Sequence, residues 1–477
     1  MSPRSFPYRP GRLLALCAAW LALTAGGCGR RQVPVFHDGP RRVIVISLDS
    51  LRADHLGCYG YDKPTTPFLD ELAAHQFRFA RTTAPANWTL PSHVSLFTGL
   101  YPLRHGVDQE TEALAETVPL LVEPLKEAGF ATASFNGGGF LKADFGYDRG
   151  FDVYVSAEKM SGATEGTLEK AKAWLLENRD RDTFLFLHTY EIHVPYTPPS
   201  PWRLKFLEGR HSSVRGTTQQ MRMIKQDGKV PGRNIVRDLI ACYDGGIGYT
   251  DFLLGRFYRW LQEQGLDDNL LLIVSSDHGE AFWEHGQHGH NGDLLGPEVT
   301  DVPLIVALPG RAPDAPGVVI DREVSFLDIM PTVLEACDLP VPEGLDGYSL
   351  LPELIGRKVS ETGKAARLGR QLEVDGEVVP LAVTEGNNYV ALRAGTRAAV
   401  VHRPPHTLDR VKIWPALYDL ATDPGEQQPL PPDNVLLPRF EGALRGIMAR
   451  GRVAGDHAEP ATVDEETRKQ LEALGYI

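Results

Sequence analysis

Apolar residues in this chain fall into short unbroken runs separated by longer amphipathic stretches. Val43-Ile44-Val45-Ile46, Phe184-Leu185-Phe186-Leu187 and Leu270-Leu271-Leu272-Ile273-Val274 are short and show no polar alternation, as expected of strands buried on both faces of a parallel sheet. Together with related runs they predict strands near 43–48, 130–135, 183–188, 270–276 and 303–308. Helical spacing between them predicts helices near 66–76, 91–98, 118–128, 165–178, 235–264 and 325–337. This alternation predicts an α/β fold with a mixed, mainly parallel sheet and helices on both faces. The polar segment at about 209–233 reads as a surface insertion, either a flexible loop or a cover for a site.

From about 355 the pattern changes to alternating short strands, such as 381–384, 389–393, 398–403 and 417–420, followed by helical stretches at 437–450 and 464–474. The chain therefore divides into a catalytic domain over 42–354 and a smaller C-terminal subdomain over 355–477.

Two of the apolar runs end in acids. Arg42–Leu48 leads into Asp49, and Leu270–Ser275 leads into Ser276-Asp277-His278-Gly279-Glu280. Ligands of open α/β sheets bind beyond the carboxyl ends of strands, so Asp49 and the Asp277-His278 pair are expected at one edge. Between them in sequence, Thr89 puts a hydroxyl just ahead of a helix started by Pro91, where free N–H groups and the helix dipole favour an anion. A threonine there also serves as an ordinary cap, and a strand-end Asp as a turn former. Taken together, two carboxylates, an imidazole and a hydroxyl make a divalent-metal site with a nucleophile in it.

The stretches Asp49–Gly60, Asn87–Val107 and Ser276–Glu280 resemble the sulfatase family of the alkaline phosphatase superfamily. His193-Val194-Pro195-Tyr196, Asp328–Thr332, Gly347–Pro352 and Leu417–Glu426 match in the same order, so the resemblance runs from about 42 to about 430. It implies an alkaline phosphatase-like sheet, a small C-terminal antiparallel α+β subdomain, and ester hydrolysis with Thr89 as nucleophile. The resemblance also has departures. Sulfatases carry a Cys or Ser, oxidised to formylglycine, where this chain has Thr89, and an Arg where it has His93. Threonine cannot become that aldehyde, so no formylglycine is expected. A sulfated Thr lacks the hydrate that expels sulfate, whereas water can attack a phosphorylated Thr at phosphorus. Phosphate mono- or diesters are therefore the leading substrates. Sulfate-ester hydrolysis without formylglycine, phosphoryl transfer to an envelope lipid or glycan, and non-catalytic binding of anionic glycans are the alternatives.

The family opens with two adjacent acids, and here the pair is Asp49-Ser50. A set of Asp49, Thr89, Asp277 and His278 suits one Zn²⁺ or Mn²⁺, while Ca²⁺ or Mg²⁺ would need waters or Ser50 to fill the shell. His193 matches the family's His-x-Pro position, and His290 lies about where relatives carry a substrate-binding Lys; both are assigned to catalysis. His93, His188 and Arg52 are assigned to substrate binding. His105, His285 and His288 rank below these, since isolated or clustered histidines are often structural or adventitious metal binders.

The 477 residues carry a net charge of −13, and 42% are hydrophobic, which suits a large globular core and disfavours nucleic acid as a partner. Arg4, Arg9 and Arg12 precede an apolar run, Leu13 to Ala25, and then Gly26-Gly27-Cys28. This pattern reads as a bacterial lipoprotein signal over 1–27, with Cys28 acylated and 28–41 as a tether. An exported enzyme, lipid-anchored to a membrane of the cell envelope, is the resulting expectation; a plain secretory signal or uncleaved anchor is the alternative. Cys58, Cys242 and Cys337 give neither a disulfide framework nor a zinc pattern.

Overall fold

The computed structural model describes residues 35–477 apart from 160–161, 227–228, 291, 358–362, 365–366, 368, 403–415, 432–433, 452, 454–457 and 475–477. The signal predicted over 1–27, Cys28 and the tether as far as residue 34 lie outside the described residues. From Val35 onward the chain forms one compact unit. Phe36 is buried in its core, and the backbone N–H of His37 donates to Asn269 Oδ1 at 3.2 Å. Among the described residues, no helix is long and apolar enough to cross a membrane.

One sheet of eight strands organises the molecule, in the order Val318–Ser325, Phe77–Thr83, Leu304–Ala307, Leu270–Ser275, Arg42–Leu48, Thr183–Thr189, Ala131–Asn136 and Val153–Ser156. All run parallel except Leu304–Ala307. Central strand Arg42–Leu48 is buried along its whole length. Its alternate residues feed opposite layers: Val43 and Val45 join Leu90, Val94 and Phe97 on one face, and Ile44, Ile46 and Leu48 join Leu239, Tyr243 and Leu254 on the other. Each such buried aliphatic side chain contributes about 1.5–3 kcal/mol. Both faces are packed in the core, which is why Val43–Ile46 reads as an unbroken apolar run.

The five predicted strands are all present. Three others, Phe77–Thr83, Val153–Ser156 and Val318–Ser325, have less apolar sequences because they lie at or next to the sheet's margins, where one side is half-exposed. The stretch predicted as a loop or cover contains a helix, Thr218–Gln226, whose Met221 is buried. The helix predicted at 118–128 is confined to Val122–Glu127.

The C-terminal part is a five-stranded antiparallel sheet, Gln371–Val374, Glu377–Glu385, Tyr389–Ala394, Arg397–His402 and Ala416–Asp419, in sequential order. Helix Leu437–Met448 covers it with Phe440, Leu444 and Ile447. A fully buried ion pair, Arg370 Nη1 to Asp328 Oδ1 at 2.5 Å, joins this part to the segment that starts helix Ile329–Ala336.

Candidate active site

Parallel register brings the strand ends level. Ser47 lies beside both His188 and Ser275, so Asp49 and Asp277 emerge two residues further on at one edge. Immediately after Asp49 the chain turns away through Ser50, held at φ 62°. Such a left-handed conformation costs a non-glycine residue on the order of 1 kcal/mol. Two bonds retain it: Tyr243 Oη donates to the Ser50 carbonyl at 2.6 Å, and Ser50 Oγ donates to Asp49 Oδ1 at 2.9 Å.

Thr89 is the first residue of helix Thr89–Thr98, one step further inside it than the sequence suggested. Pro91 falls in the first turn, where a missing N–H breaks no helical bond. Thr89 Oγ1 lies 3.3 Å from Asp49 Oδ2 and 3.3 Å from His278 Nε2. Ser92 anchors the same helix to the opposite strand end, its Oγ donating to the Asp277 carbonyl at 2.7 Å. Thr89, Asp49, Asp277 and His278 are all inaccessible to solvent.

Asp49, Asp277 and His278 each offer a ligand atom within 4.8 Å of the others. The His278 Nδ1–H donates to the Gly279 carbonyl at 2.9 Å, leaving Nε2 turned to the two acids, 3.2 Å from Asp277 Oδ2. That same Asp277 Oδ2 is buried with no hydrogen-bond partner. Burial, then the charge of Asp277, pushes the Asp49 carboxyl up to about 7. Asp277 is held well below the carboxylate range because the neighbouring His278 and His93 outweigh its burial. Burial alone would lower His278, but Asp277 and then Asp49 raise it to about 9. Two buried acids thus demand positive charge at this point, supplied here by the His278 proton, and an orphaned carboxylate oxygen facing the His278 Nε2 fits a divalent cation that would take that proton's place.

The other predicted residues divide between the front and the back of this cluster. His290 stacks on His278 with ring centroids 4.2 Å apart and meets His193 at 4.9 Å; its Nδ1 lies 3.3 Å from Glu280 Oε2. Burial lowers His193 to about 4 and His290 well below its usual value, so both rings are neutral. His188 Nε2 is 3.1 Å from Asp49 Oδ2. His93 sits behind Thr89, with Nδ1 2.9 Å from the Thr89 carbonyl and Nε2 2.9 Å from Ser47 Oγ. Arg52 is turned away toward acids of its own: Nε and Nη2 donate to Asp54 at 2.8 and 2.7 Å, and Nη1 donates to Glu284 at 2.5 Å and to the Glu280 carbonyl at 3.0 Å. His105 bonds Ser95 and Val107, His288 bonds Tyr196, and His285 faces Glu298.

Ser47, Ser92 and Glu280 were not assigned roles from sequence. Ser92 carried a usable signal, since it follows Thr89 by three residues on the same helix face.

A family model described as Sulfatase matches residues 41–339. The chain belongs to the sulfatase family. Sulfatases are metal-dependent ester hydrolases, and the Asp49, Asp277 and His278 cluster is where this sulfatase-family chain can hold an ion. An ulvan-active sulfatase of Formosa agariphila is 24% identical over 352 residues, covering 68% of this chain and 66% of that protein. A multifunctional alkaline phosphatase superfamily protein of Trinickia caryophylli is 25% identical over 408 residues, covering 67% of this chain and 78% of that one. In fold, the phosphonate monoester hydrolase of Agrobacterium radiobacter superposes with a TM-score of 0.62 at 20% identity, covering 86% of this chain and 95% of its own.

Proposed function

We propose that this sulfatase-family protein hydrolyses phosphate mono- or diesters with Thr89 as nucleophile. The observation that carries the reading is the position of Thr89 Oγ1, 3.3 Å from Asp49 Oδ2 and 3.3 Å from His278 Nε2, at the first residue of a helix. Asp49, Asp277 and His278, with Thr89, would hold a divalent cation, Zn²⁺ or Mn²⁺ by donor set, which when bound supplies charge neutralisation and a lowered hydroxyl pKa. Asp49 Oδ2 accepts the Thr89 hydroxyl hydrogen bond and orients the oxygen for attack. N–H groups of the first helical turn, together with the dipole, favour the anionic group being transferred. His290, tilted against His278, and His193, edge-on to His290, are the groups beside the cluster that would serve substrate oxygens and the leaving group, each donating from Nε2 once it has taken up a proton. Turnover of the Thr89 ester then takes water at phosphorus, a route that needs no aldehyde hydrate.

A sulfate-ester reading is favoured by the family itself and by the ulvan-active relative, and the phosphorus reading by the phosphonate monoester hydrolase. Export and anchoring through Cys28 belong to the same proposal and rest on the first 28 residues alone.

Purified protein loaded with each metal in turn and assayed on matched aryl phosphate, phosphodiester, phosphonate and sulfate esters, beside Thr89→Ala, tests the reaction. Turnover of phosphorus esters that Thr89→Ala abolishes is the expected result. Preferential, Thr89-dependent sulfate turnover would replace phosphoester hydrolysis with sulfate-ester hydrolysis.

A further inference from the structure

Three consecutive glycines, Gly137, Gly138 and Gly139, follow strand Ala131–Asn136; the first two leave no room for a Cβ, and the last two have left-handed backbone. A Cβ on Gly137 would lie 2.6 Å from the Tyr190 ring. Gly138 has φ +77°, and its Cβ would lie 2.7 Å from both the Ala157 carbonyl and Gln470 Oε1; Gly139 has φ +59°. A loop that excludes side chains at Gly137 and Gly138 is built for close backbone approach. What it approaches is His188 on one side and the C-terminal helix Glu465–Leu474 on the other.

On the His188 side, the Gly137 N–H points at Nδ1 at 3.3 Å. A backbone N–H can only donate, so Nδ1 is the unprotonated nitrogen, and Nε2–H donates to Asp49 Oδ2 at 3.1 Å. On the helix side, Gln470 Oε1 accepts the Gly139 N–H at 2.9 Å. Its Nε2 donates to the carbonyls of Glu158 at 3.1 Å and Ala157 at 3.4 Å. Gln470 is almost fully buried, and the next residue, Leu471, packs in the core cluster that contains Phe140 and Trp88. Thr467 Oγ1 adds a bond to Asp144 Oδ2 at 2.9 Å on the same helix.

We propose that Gln470 is a positioning residue for the active site: through the triglycine loop it fixes the ring orientation and tautomer of His188, and through His188 the Asp49 carboxylate. Asp49 Oδ2 is shared between His188 Nε2 and Thr89 Oγ1, so a His188 ring free to flip would leave the acid free to rotate away from both the ion site and the nucleophile. Partners that orient a metal-binding group in this way change metal affinity or activity by about 10–100-fold when removed. The inference rests on reading Asp49 as a metal-holding residue.

The test uses the full-length protein and reads Mn²⁺ affinity by titration calorimetry, together with the ¹⁵N shifts of the His188 ring. Gln470→Ala is expected to weaken Mn²⁺ binding by about tenfold. Gln470→Glu keeps the acceptor for the Gly139 N–H but sets its second oxygen against the Glu158 and Ala157 carbonyls, so it is expected to hold affinity and tautomer near the parent's only with its carboxyl protonated, a pH-dependent rescue that loss of bulk stability in Gln470→Ala would not produce. In the pair Gln470→Ala with His188→Ala, the losses should not add, because one acts through the other. Parent-like Mn²⁺ affinity in folded Gln470→Ala, or fully additive losses in the double variant, would overturn the proposal. Should Gln470→Ala not fold, an unaltered ¹⁵N tautomer and affinity in Gln470→Lys, which lacks the acceptor, would do the same. No ester enters these readouts, so failure of the phosphoester reading would show in the turnover assay and leave this result standing.

Discussion

His93 Nδ1 donates to the carbonyl of Thr89 one turn back along the same helix, at 2.9 Å, while its Nε2 accepts the Ser47 hydroxyl at 2.9 Å. Both nitrogens are therefore engaged behind the nucleophile, and the ring is wholly buried with Phe186 and Phe326 about its edges. Its function in this geometry is to hold the first turn of the helix against the central strand.

That burial sets a pH dependence. Desolvation lowers His93 to about 4 despite the nearby Asp277 charge, against an ordinary value of 6.5. The unfolded chain then binds a proton that the folded chain refuses, so the stability held above about pH 6.5 is lost as the pH falls toward 4. Urea unfolding compared at about pH 7 and about pH 5 should show this drop in the parent. His93→Gln, which has no titrating ring, should show a smaller drop; an undiminished one would place the acid sensitivity elsewhere.

Ion binding should be visible as stability. A cation that binds only the folded state at about 100 times its Kd adds about 2.7 kcal/mol. Thermal melts of chelator-treated protein should therefore rise on addition of Zn²⁺ or Mn²⁺. Asp277→Asn removes the charge on the carboxylate whose Oδ2 has no partner, and should abolish most of that rise. An equal rise in Asp277→Asn would mean the ion binds away from the Asp49, Asp277 and His278 cluster.

Much of this site was legible because its residues end strands buried on both faces. Asp49 and Asp277 interrupt unbroken apolar runs, and Thr89 precedes a proline that marks a helix start, so local pattern alone placed them. Strands Phe77–Thr83 and Val318–Ser325 lack the sequence signal because charges such as Arg78, Arg81, Asp321 and Arg322, none of them buried, break the apolar run. The separation of the histidines into front and back was also beyond the sequence. It depends on which nitrogen faces which partner, and for His188 that is decided by Gly137, a backbone N–H 51 residues earlier. Gln470 left no local trace at all, since its partners are main-chain groups more than 300 residues distant.

The junction between the two sheets depends on a charge that cannot be left alone. Arg370 and Asp328 are both fully buried, and Arg370 also lies over the Tyr348 ring, 4.7 Å from its centroid. Removing one partner of a buried pair leaves the other uncompensated and typically costs about 3–5 kcal/mol. Arg370→Met should therefore lower stability by that order, and adding Asp328→Asn should recover part of the loss. Denaturant unfolding of the single and double variants checks both; no recovery would show that packing against Tyr101 and Tyr348, rather than charge, is what Arg370 contributes.

Arg52 separates a substrate contact from a structural clamp. Its guanidinium is satisfied by Asp54, Glu284 and the Glu280 carbonyl, and its Cγ lies 3.1 Å from where a Cβ on Gly279 would be, so it braces the turn that follows His278. Asp54 is largely exposed, which weakens that arm of the clamp by solvent screening, whereas Arg52 itself is buried. Arg52→Met keeps the apolar stem and should cost about 2 kcal/mol of stability, less than loss of a fully buried pair. KM for whichever ester the protein turns over should stay within about twofold, because uniform substrate binding is not being removed. A KM raised tenfold or more with stability unchanged would instead put the Arg52 guanidinium on the substrate, and would require it to leave Asp54 and Glu284 when substrate binds.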